Sequence, residues 1–172
     1  MTAQEFEYML IRYGDDLYRF CLHIMRKREN ADDLYQETVL KAFEKAEFIE
    51  KNGNPKAYFF SIAAKLSHNY FRKEKRRGIP ISVDDEELII ADINENVAEG
   101  AEKSQLYAAI RKATAELDEK YRIPLVLYYF DERGIDFISE VMGIPAGTVK
   151  SRLFKARSLI GNILKKGGFL DG

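Results

Sequence analysis

The spacing of apolar residues is the feature that most constrains the fold of this chain. From residue 6 to residue 24 apolar side chains recur every three or four positions: Phe6, Met9, Leu10, Tyr13, Leu17, Phe20, Cys21 and Ile24. That period places them on one face of an α-helix, which completes a turn in about 3.6 residues. Similar spacing continues through most of the chain, and no segment shows a convincing strand period. We therefore predict an all-α fold in which helices pack through such faces.

Local signals divide the helical pattern into elements. Asn30 or Asp32 is a candidate cap for a second helix, and its inward residues would be Leu34, Thr38, Val39, Ala42 and Phe43. Residues 50–55 contain Asn-Gly and Asn-Pro and predict a loop. Pro55 suits the first position of a helix that runs on to about Arg77. In the carboxy-terminal part, a helix with a distortion at Pro124 precedes two short helices around Gly143.

Charge divides the chain into three segments. The whole chain has 27 basic and 28 acidic side chains, a net charge of −1. Residues 1–80 carry +3, residues 81–103 carry −7, and residues 104–172 carry +3. We predict two small helical domains, 1–78 and 104–172, joined by an acidic flexible linker over 79–103. From composition alone, the acidic charge of this linker is explained equally well by a solubilising tether as by a segment with a binding role.

Composition excludes several classes of protein. A single cysteine cannot form an internal disulfide, which argues against a small secreted protein stabilised by disulfides. No apolar run approaches the ~18–20 residues of a membrane span, and the acidic start is unlike a signal peptide. One cysteine and two histidines provide no zinc cluster. We expect a cytoplasmic protein without membrane insertion, metal or cofactor.

Residues 136–160 have the pattern of a helix-turn-helix. Ser139 is small enough to let two helices approach, and Gly143 suits a left-handed turn. The second helix would bury Val149, Leu153 and Ala156 and leave its polar side free for base edges and phosphates. These candidate DNA contacts are Thr148, Lys150, Ser151, Arg152, Lys155 and Arg157. A solvated basic face is the alternative, but the coincidence of glycine turn, small residue and apolar stripe favours DNA binding.

The segment GIPAGTVKSRLFKAR, residues 143–157, is very similar to the fourth conserved region of the extracytoplasmic-function (ECF) sigma factors of the sigma-70 family. Residues 117–134 resemble the first half of the same region. Two positions depart from the family pattern: Phe137 replaces the usual glutamate and Ser139 the usual alanine. The resemblance implies that the carboxy-terminal domain reads the −35 element of a promoter, upstream of the −10 element.

The segment NADDLYQETVLKAF, residues 30–43, resembles the second region of the same family. There a polar helix face docks on a coiled coil in the largest subunits of bacterial core RNA polymerase, beta and beta-prime. The corresponding residues here are Asp32, Asp33, Gln36 and Glu37. From the residues alone, acids that complement a helix dipole explain the pattern equally well. An enzymatic carboxylate pair is possible in spacing, but the sequence contains no convincing partner residues, so we predict no enzyme.

Residues 54–77 interleave aromatic and basic side chains, as the family does where it captures unpaired bases of the −10 element. Phe59, Ile62, Ala63 and Leu66 share a core face, and the remaining aromatics would offer stacking surfaces. The loop before this helix corresponds to one that captures a flipped base in the family, and Asn52 and Asn54 could hydrogen-bond that base. The other candidate contacts are Lys56, Tyr58, Lys65, Asn69, Arg72 and Arg76. Tyr58 retains a ring where the family often has tryptophan, whereas Lys65 replaces a base-reading asparagine. Core packing with a basic helix end is an equally good explanation without the resemblance.

The resemblance as a whole implies a sigma factor that binds core RNA polymerase, recognises promoter −10 and −35 elements and initiates transcription. In the family the acidic linker threads through polymerase channels, and an anti-sigma factor is a common further partner. The alternative is a stand-alone helix-turn-helix regulator that binds an operator without polymerase. Only the sigma factor requires the Asp-Asp-x-x-Gln-Glu helix and the aromatic-basic helix together.

Overall fold

The computed structural model describes residues 1–51, 53–78, 101–129 and 133–170. Within these ranges the chain forms helices and no strand, which confirms the all-α prediction. The helices are α1 (Ala3–Ile24), α2 (Arg28–Glu44), α3 (Ala46–Lys51), α4 (Pro55–Arg76), α5 (Ala101–Glu116), α6 (Glu119–Tyr129), α7 (Ile135–Met142) and α8 (Ala146–Lys166). No helix in the described ranges is long and apolar enough to cross a membrane. Residues 79–100, most of the predicted linker, and Asn52 lie outside the described residues.

Helix α1 forms where the apolar spacing predicts it. Its first turn is closed by a capping box, in which the Thr2 hydroxyl accepts from the Glu5 amide at 3.1 Å and the Glu5 carboxylate accepts from the Thr2 amide at 2.7 Å. The buried apolar positions include Phe6, Leu17, Phe20, Cys21 and Ile24. Burial of the single cysteine agrees with its place on the apolar face.

Helix α2 begins earlier than its polar residues suggest. Its N-cap is Lys27, which makes no side-chain capping hydrogen bond, so the prediction of a cap at Asn30 or Asp32 is wrong. Both side chains have tertiary partners instead. The Asn30 amide donates to the Tyr70 hydroxyl at 2.9 Å, and the Asp32 carboxylate accepts from the Tyr18 hydroxyl.

The predicted loop before α4 is shorter than expected, because α3 continues through Lys51. Gly53 has a φ of 75°, a left-handed conformation that glycine adopts without strain. The Asn54 side chain then accepts from the Ala57 amide at 3.2 Å and caps α4. Pro55 occupies the first turn as predicted, where its missing N–H costs nothing.

The carboxy-terminal helices follow the predicted order but not the predicted lengths. Pro124 lies inside α6 and is buried, while α8 is a long helix of 21 residues rather than a short one. Its extra turns are stabilised by packing against α5 and α6. Leu164 is buried there, and Leu159 and Ile160 pack on the core.

The two halves of the chain, which we call the amino-terminal unit (α1–α4) and the carboxy-terminal unit (α5–α8), pack against each other. Helix α4 contacts α6 and α7, and α1 contacts α6. At the centre of this contact Phe60 and Phe137 meet edge to face, with ring centroids 5.7 Å apart. Most of the buried apolar residues of both units therefore form one continuous core.

Candidate nucleic-acid and protein interfaces

Helices α7 and α8 form the predicted helix-turn-helix. Gly143 ends α7 with a φ of 65°, as the turn requires. The Ser139 hydroxyl donates to the Ile144 carbonyl, and the Ile144 amide donates to the Ser139 carbonyl at 3.2 Å. The serine that replaces the family's alanine thus binds the turn directly. Val149, a fully buried residue, begins the apolar stripe that seats α8.

The six predicted contacts of α8 lie outside its buried apolar stripe. Lys150, Ser151, Lys155 and Arg157 are exposed, and Thr148 and Arg152 are partly exposed. Thr148, Ser151 and Lys155 follow one another at helical spacing, so their side chains form one row. The Arg157 guanidinium lies against the Tyr128 and Tyr129 rings, 6.0 and 5.6 Å from their centroids. The structure therefore brings all six together on one helix.

Phe154 is a candidate contact that the sequence pattern did not single out. It is 72% exposed, while its neighbour Leu153 is only 1% exposed. A large apolar side chain so exposed gains nothing from the core, and it lies one helical turn beyond Lys150. The available signal was its place outside the buried stripe of positions 149, 153 and 156.

The predicted contacts along α4 form a second row. Tyr58, Lys65, Asn69, Arg72 and Arg76 follow intervals of seven, four, three and four residues, which is one face of a helix. The last four are exposed and Tyr58 is half-buried, and its burial raises the pKa of the phenol.

Three further lysines lie beside this face, one on α4 and two at the end of α2. Lys41, Lys45 and Lys73 join Lys65 and Asn69 around a cleft of about 420 Å³ between α2 and α4. The sequence pattern missed Lys41 and Lys45, because they belong to a helix interpreted only through its acidic face. Their spacing of four residues was the available signal.

The start of α4 is held by internal contacts. Lys56 forms an ion pair with Asp16 of α1, and Arg133 of the carboxy-terminal unit donates to the same Asp16 oxygen at 3.0 Å. The hydrogen bond from Lys56 is the main reason that the pKa of Asp16 lies below its usual value, and Arg133 contributes in the same direction, while burial opposes both. Asn54 is occupied as the helix cap.

The expectation that the aromatics outside the α4 core face offer stacking surfaces is wrong for two of them. Phe60 is 0% exposed and Phe71 is 4% exposed, because α1, α6 and α7 cover the side of α4 that carries them. Tyr70 is partly buried and accepts from Asn30. Tyr58 is thus the aromatic that lies in the exposed row of α4.

The polar face of α2 is accessible on three of its four predicted residues. Asp33, Gln36 and Glu37 are exposed, whereas Asp32 accepts from Tyr18 and so also fixes α2 on α1. That hydrogen bond is the main cause of the raised pKa of Tyr18.

Two apolar side chains continue the exposed face of α2. Leu40 is 58% exposed and Phe43 is 51% exposed. The prediction that Phe43 faces inward is therefore wrong. Only part of its ring meets the edge of Phe6, at a centroid distance of 5.2 Å, so α2 presents acids and an amide beside a small apolar patch.

Comparison with known proteins assigns both halves of the chain. Residues 9–77 match the family described as sigma-70 region 2, and residues 107–160 match sigma-70 region 4. The chain is 28% identical to the RNA polymerase sigma factor SigV of Bacillus subtilis, over 86% of this chain and 84% of SigV. It is also 28% identical to the ECF RNA polymerase sigma factor SigM of the same organism, over 97% of this chain and 98% of SigM.

A solved structure shares the arrangement of both units. The sigma factor RpoE of Bartonella quintana, determined in complex with the anti-sigma factor NepR, superposes with a TM-score of 0.66. The match covers 95% of this chain and 98% of RpoE, at 24% identity, and shows a common fold. With a region 2 match on one unit, a region 4 match on the other and full-length ECF relatives, the chain belongs to the ECF group of the sigma-70 family.

Proposed function

We propose that this chain directs bacterial core RNA polymerase to promoters whose −10 element is read by α4 and whose −35 element is read by α8. The observation that carries the proposal is the presence of three separate surfaces on one chain: the exposed polar face of α2, the row along α4 and the helix-turn-helix. A regulator that acts without polymerase requires only the last of these.

The −35 element would be read in the major groove by α8. Arg152 and Lys155 can donate to guanine acceptors, and Lys150 and Arg157 can neutralise phosphates. The Phe154 ring, exposed beside Lys150, can make apolar contact with a thymine methyl group. Because Leu153 on the buried stripe seats the helix, these side chains are presented from a rigid support.

The −10 element would be bound as unpaired bases along α4. Lys65, Arg72 and Arg76 line the backbone path, and the lysines around the α2–α4 cleft add positive charge beside it. Tyr58 supplies a ring on which a base can stack, a contact of ~1–3 kcal/mol. Asn52 and Asn54, in the loop before α4, are proposed to hydrogen-bond a flipped base. Strand separation is then driven by binding energy.

Core polymerase would dock on α2. Asp33, Gln36 and Glu37 provide acceptors and charge for a basic coiled-coil surface of the beta-prime subunit, with the beta subunit completing the enzyme's contacts. Leu40 and Phe43 add apolar area next to them. An apolar centre with a polar rim is the usual composition of such protein interfaces.

The chain itself would perform no covalent chemistry, and it would act in the cytoplasm, where the polymerase works. The domains are proposed as 1–78 and 104–172, and α5 already begins at Ala101, within the range assigned to the acidic linker. An anti-sigma factor is a natural further partner, because both DNA-facing surfaces are open to occlusion.

Reversing the charges of the α2 face tests the proposal. We expect the double variant Asp33→Lys, Glu37→Lys to lose association with core polymerase in a pull-down while its circular dichroism stays helical, because both side chains are exposed. Run-off transcription from a pool of genomic promoters, with added core polymerase, should be lost in parallel.

The carboxy-terminal unit offers a matched control. Asp136 and Glu140 of α7 are exposed and have the same spacing of four residues, so Asp136→Lys, Glu140→Lys introduces equal charge elsewhere and should still associate with core polymerase. Association of the α2 variant at the wild-type level, or autonomous operator binding without any transcription, would refute the proposed function.

A further inference from the structure

Helix α6 ends in two exposed tyrosines. The helix is buried without interruption from Arg122 to Leu127, and Leu127 itself is 0% exposed. Tyr128 is then 37% exposed and Tyr129 is 50% exposed. Their rings meet edge to face, with centroids 4.9 Å apart and planes at 72°. Two adjacent rings therefore stand in solvent at the end of a helix whose preceding turns are fixed in the core.

These rings lie beside the helix-turn-helix, because α6 packs on both α7 and α8. The Arg157 guanidinium of α8 lies 5.6 Å from the Tyr129 ring centroid and 6.0 Å from that of Tyr128. A cation within about 6 Å of a ring centroid is attracted by the face of the ring. Tyr129 is therefore the stronger partner of Arg157, and Tyr128 supports the Tyr129 ring through the edge-to-face contact.

Arg157 continues a line of exposed side chains along α8. Lys150, Phe154 and Arg157 follow intervals of four and three residues, which keeps them on one side of the helix, and all three are exposed. Arg157 lies ~10 Å beyond Lys150 along the helix axis. In a helix-turn-helix the first residues of the second helix meet base edges. A cation about two turns further along is therefore placed for the sugar-phosphate backbone beside those bases.

The charge of Arg157 is available to an external anion. None of the ion pairs between residues that the structure describes involves Arg157. A fully solvated arginine side chain samples many rotamers, and ordering it on a ligand costs conformational entropy. Contact with the two tyrosine rings restricts the guanidinium before a ligand arrives, so less of that entropy is lost on binding.

We propose that Tyr129, supported by Tyr128, positions Arg157 to bind a phosphate of the DNA backbone beside the −35 element. The inference rests on the proposed function and adds α6 to the elements that serve DNA binding. Tyr129 is a positioning residue, because it acts through Arg157 and not on a base. A phosphate contact carries no sequence information. It therefore strengthens binding to every −35 sequence equally and leaves the choice among sequences to Arg152 and Lys155.

The salt dependence of binding tests the phosphate contact. Each neutralised phosphate adds about 0.9 to the slope of log affinity against log salt concentration. In titrations of polymerase holoenzyme on a promoter fragment, Arg157→Ala should therefore reduce this slope by about 0.9. The loss of affinity between ~50 and ~200 mM salt would then be about threefold to fourfold smaller than in wild type. Lys165→Ala, at the exposed end of the same helix, should keep the wild-type slope.

The role of Tyr129 is tested through its ring. Tyr129→Leu removes the ring and should weaken promoter binding about twofold to fivefold, the range of an exposed cation–π contact, whereas Tyr129→Phe retains the ring and should bind nearly as wild type does. The loss should be equal for the intact −35 element and for one with a changed base pair. It should disappear in the Arg157→Ala background, because the tyrosine acts through the arginine. Tyr107→Leu, at an exposed tyrosine of α5, is the matched control and should leave binding unchanged.

Urea unfolding of each variant separates a change in binding from a change in stability, and Tyr129→Gln replaces Tyr129→Leu if the leucine variant is destabilised. An unchanged salt slope for Arg157→Ala, or additive losses in the double variant, would overturn the inference alone. Weaker association of Tyr129→Leu with core polymerase in the absence of DNA would also overturn it, since the ring would then bind protein. A wild-type holoenzyme whose binding does not depend on a −35 element would overturn the proposed function and the inference with it.

Discussion

The two helices proposed to contact DNA hold their polar side chains in different ways. On α8 the candidate contacts project from a helix that is seated by a separate apolar stripe, and Lys150, Ser151 and Lys155 are exposed. On α4 the first two candidate contacts also stabilise the fold. Asn54 caps the helix and Lys56 pairs with Asp16.

On α8, the side chains proposed to contact DNA are distinct from those that hold the helix in place. The exposed side chains of Lys150, Ser151 and Lys155 can be exchanged without altering the packing of α8, whereas the first turn of α4 contributes both to stability and to the proposed base capture. A change there is expected to alter two measurable quantities together.

Neighbouring residues of α8 should behave in opposite ways. Leu153→Ala removes a side chain that is 1% exposed and should lower the free energy of unfolding by ~2–5 kcal/mol in urea titrations. Phe154→Ala removes one that is 72% exposed and should change it by less than ~0.5 kcal/mol, while it weakens binding to the −35 element. Equal destabilisation by both substitutions would show that the exposed side chain of Phe154 also stabilises the fold, against this prediction.

The donors of α8 should affect DNA binding alone. Arg152→Ala and Lys155→Ala should each weaken binding to the −35 element by ~1–3 kcal/mol in holoenzyme titrations, because each removes a proposed base contact. Unfolding in urea should stay unchanged. Lys165→Ala, at the exposed end of the same helix, is the control, and undiminished transcription of a −35-dependent promoter by the first two variants would refute their role.

Substitution of Asn54 should alter the stability of the chain and its ability to open a promoter together. Asn54→Ala removes the cap and should cost ~0.5–2 kcal/mol of stability, measured by thermal unfolding. It should also reduce open-complex formation at a promoter. Asn54→Asp retains a capping oxygen and should restore stability without restoring the amide contact to a base. If the aspartate variant recovers both, the role of Asn54 is confined to capping.

The ion pair at the start of α4 should have a small effect that depends on pH. The pKa of Asp16 in the folded chain lies below its usual value near 3.8. Its contribution to stability is therefore present above about pH 4 and is lost as the pH falls through the folded-state pKa. Because the side chain is 37% exposed, solvent screening keeps the contribution below ~1 kcal/mol. Asp16→Asn should flatten the acid limb of a stability profile in urea, and an unaltered limb would show that the pair contributes nothing.

Sequence reasoning succeeded where the determinants are local. The helix-turn-helix depends on a glycine turn and on spacing within one segment, and Gly143 and Leu153 have the predicted conformation and burial. The position of Pro55 at the start of α4 was equally predictable, because its ring fixes the backbone angle φ that a first helical turn requires.

It failed where the outcome depends on which helices meet. Phe43 lies on the inward side of α2 by spacing, yet its ring remains half exposed where it meets Phe6 edge to face. Phe60 has the spacing of a free aromatic and is buried between α1 and the carboxy-terminal unit. Asn30 had the chemistry of a cap and instead donates to Tyr70. In each case the deciding partner lies far away in the chain.

The adjacency of Leu153 and Phe154 also bears on how promoter choice could change over time. Under the proposed function, a substitution on the outward side of α8 would alter a contact with DNA while the buried stripe keeps the helix in place. Related chains could therefore acquire different −35 preferences through single exchanges that leave folding intact. For an engineer, the outward positions of α8 form a small set that can be randomised together to obtain sigma factors with independent promoters.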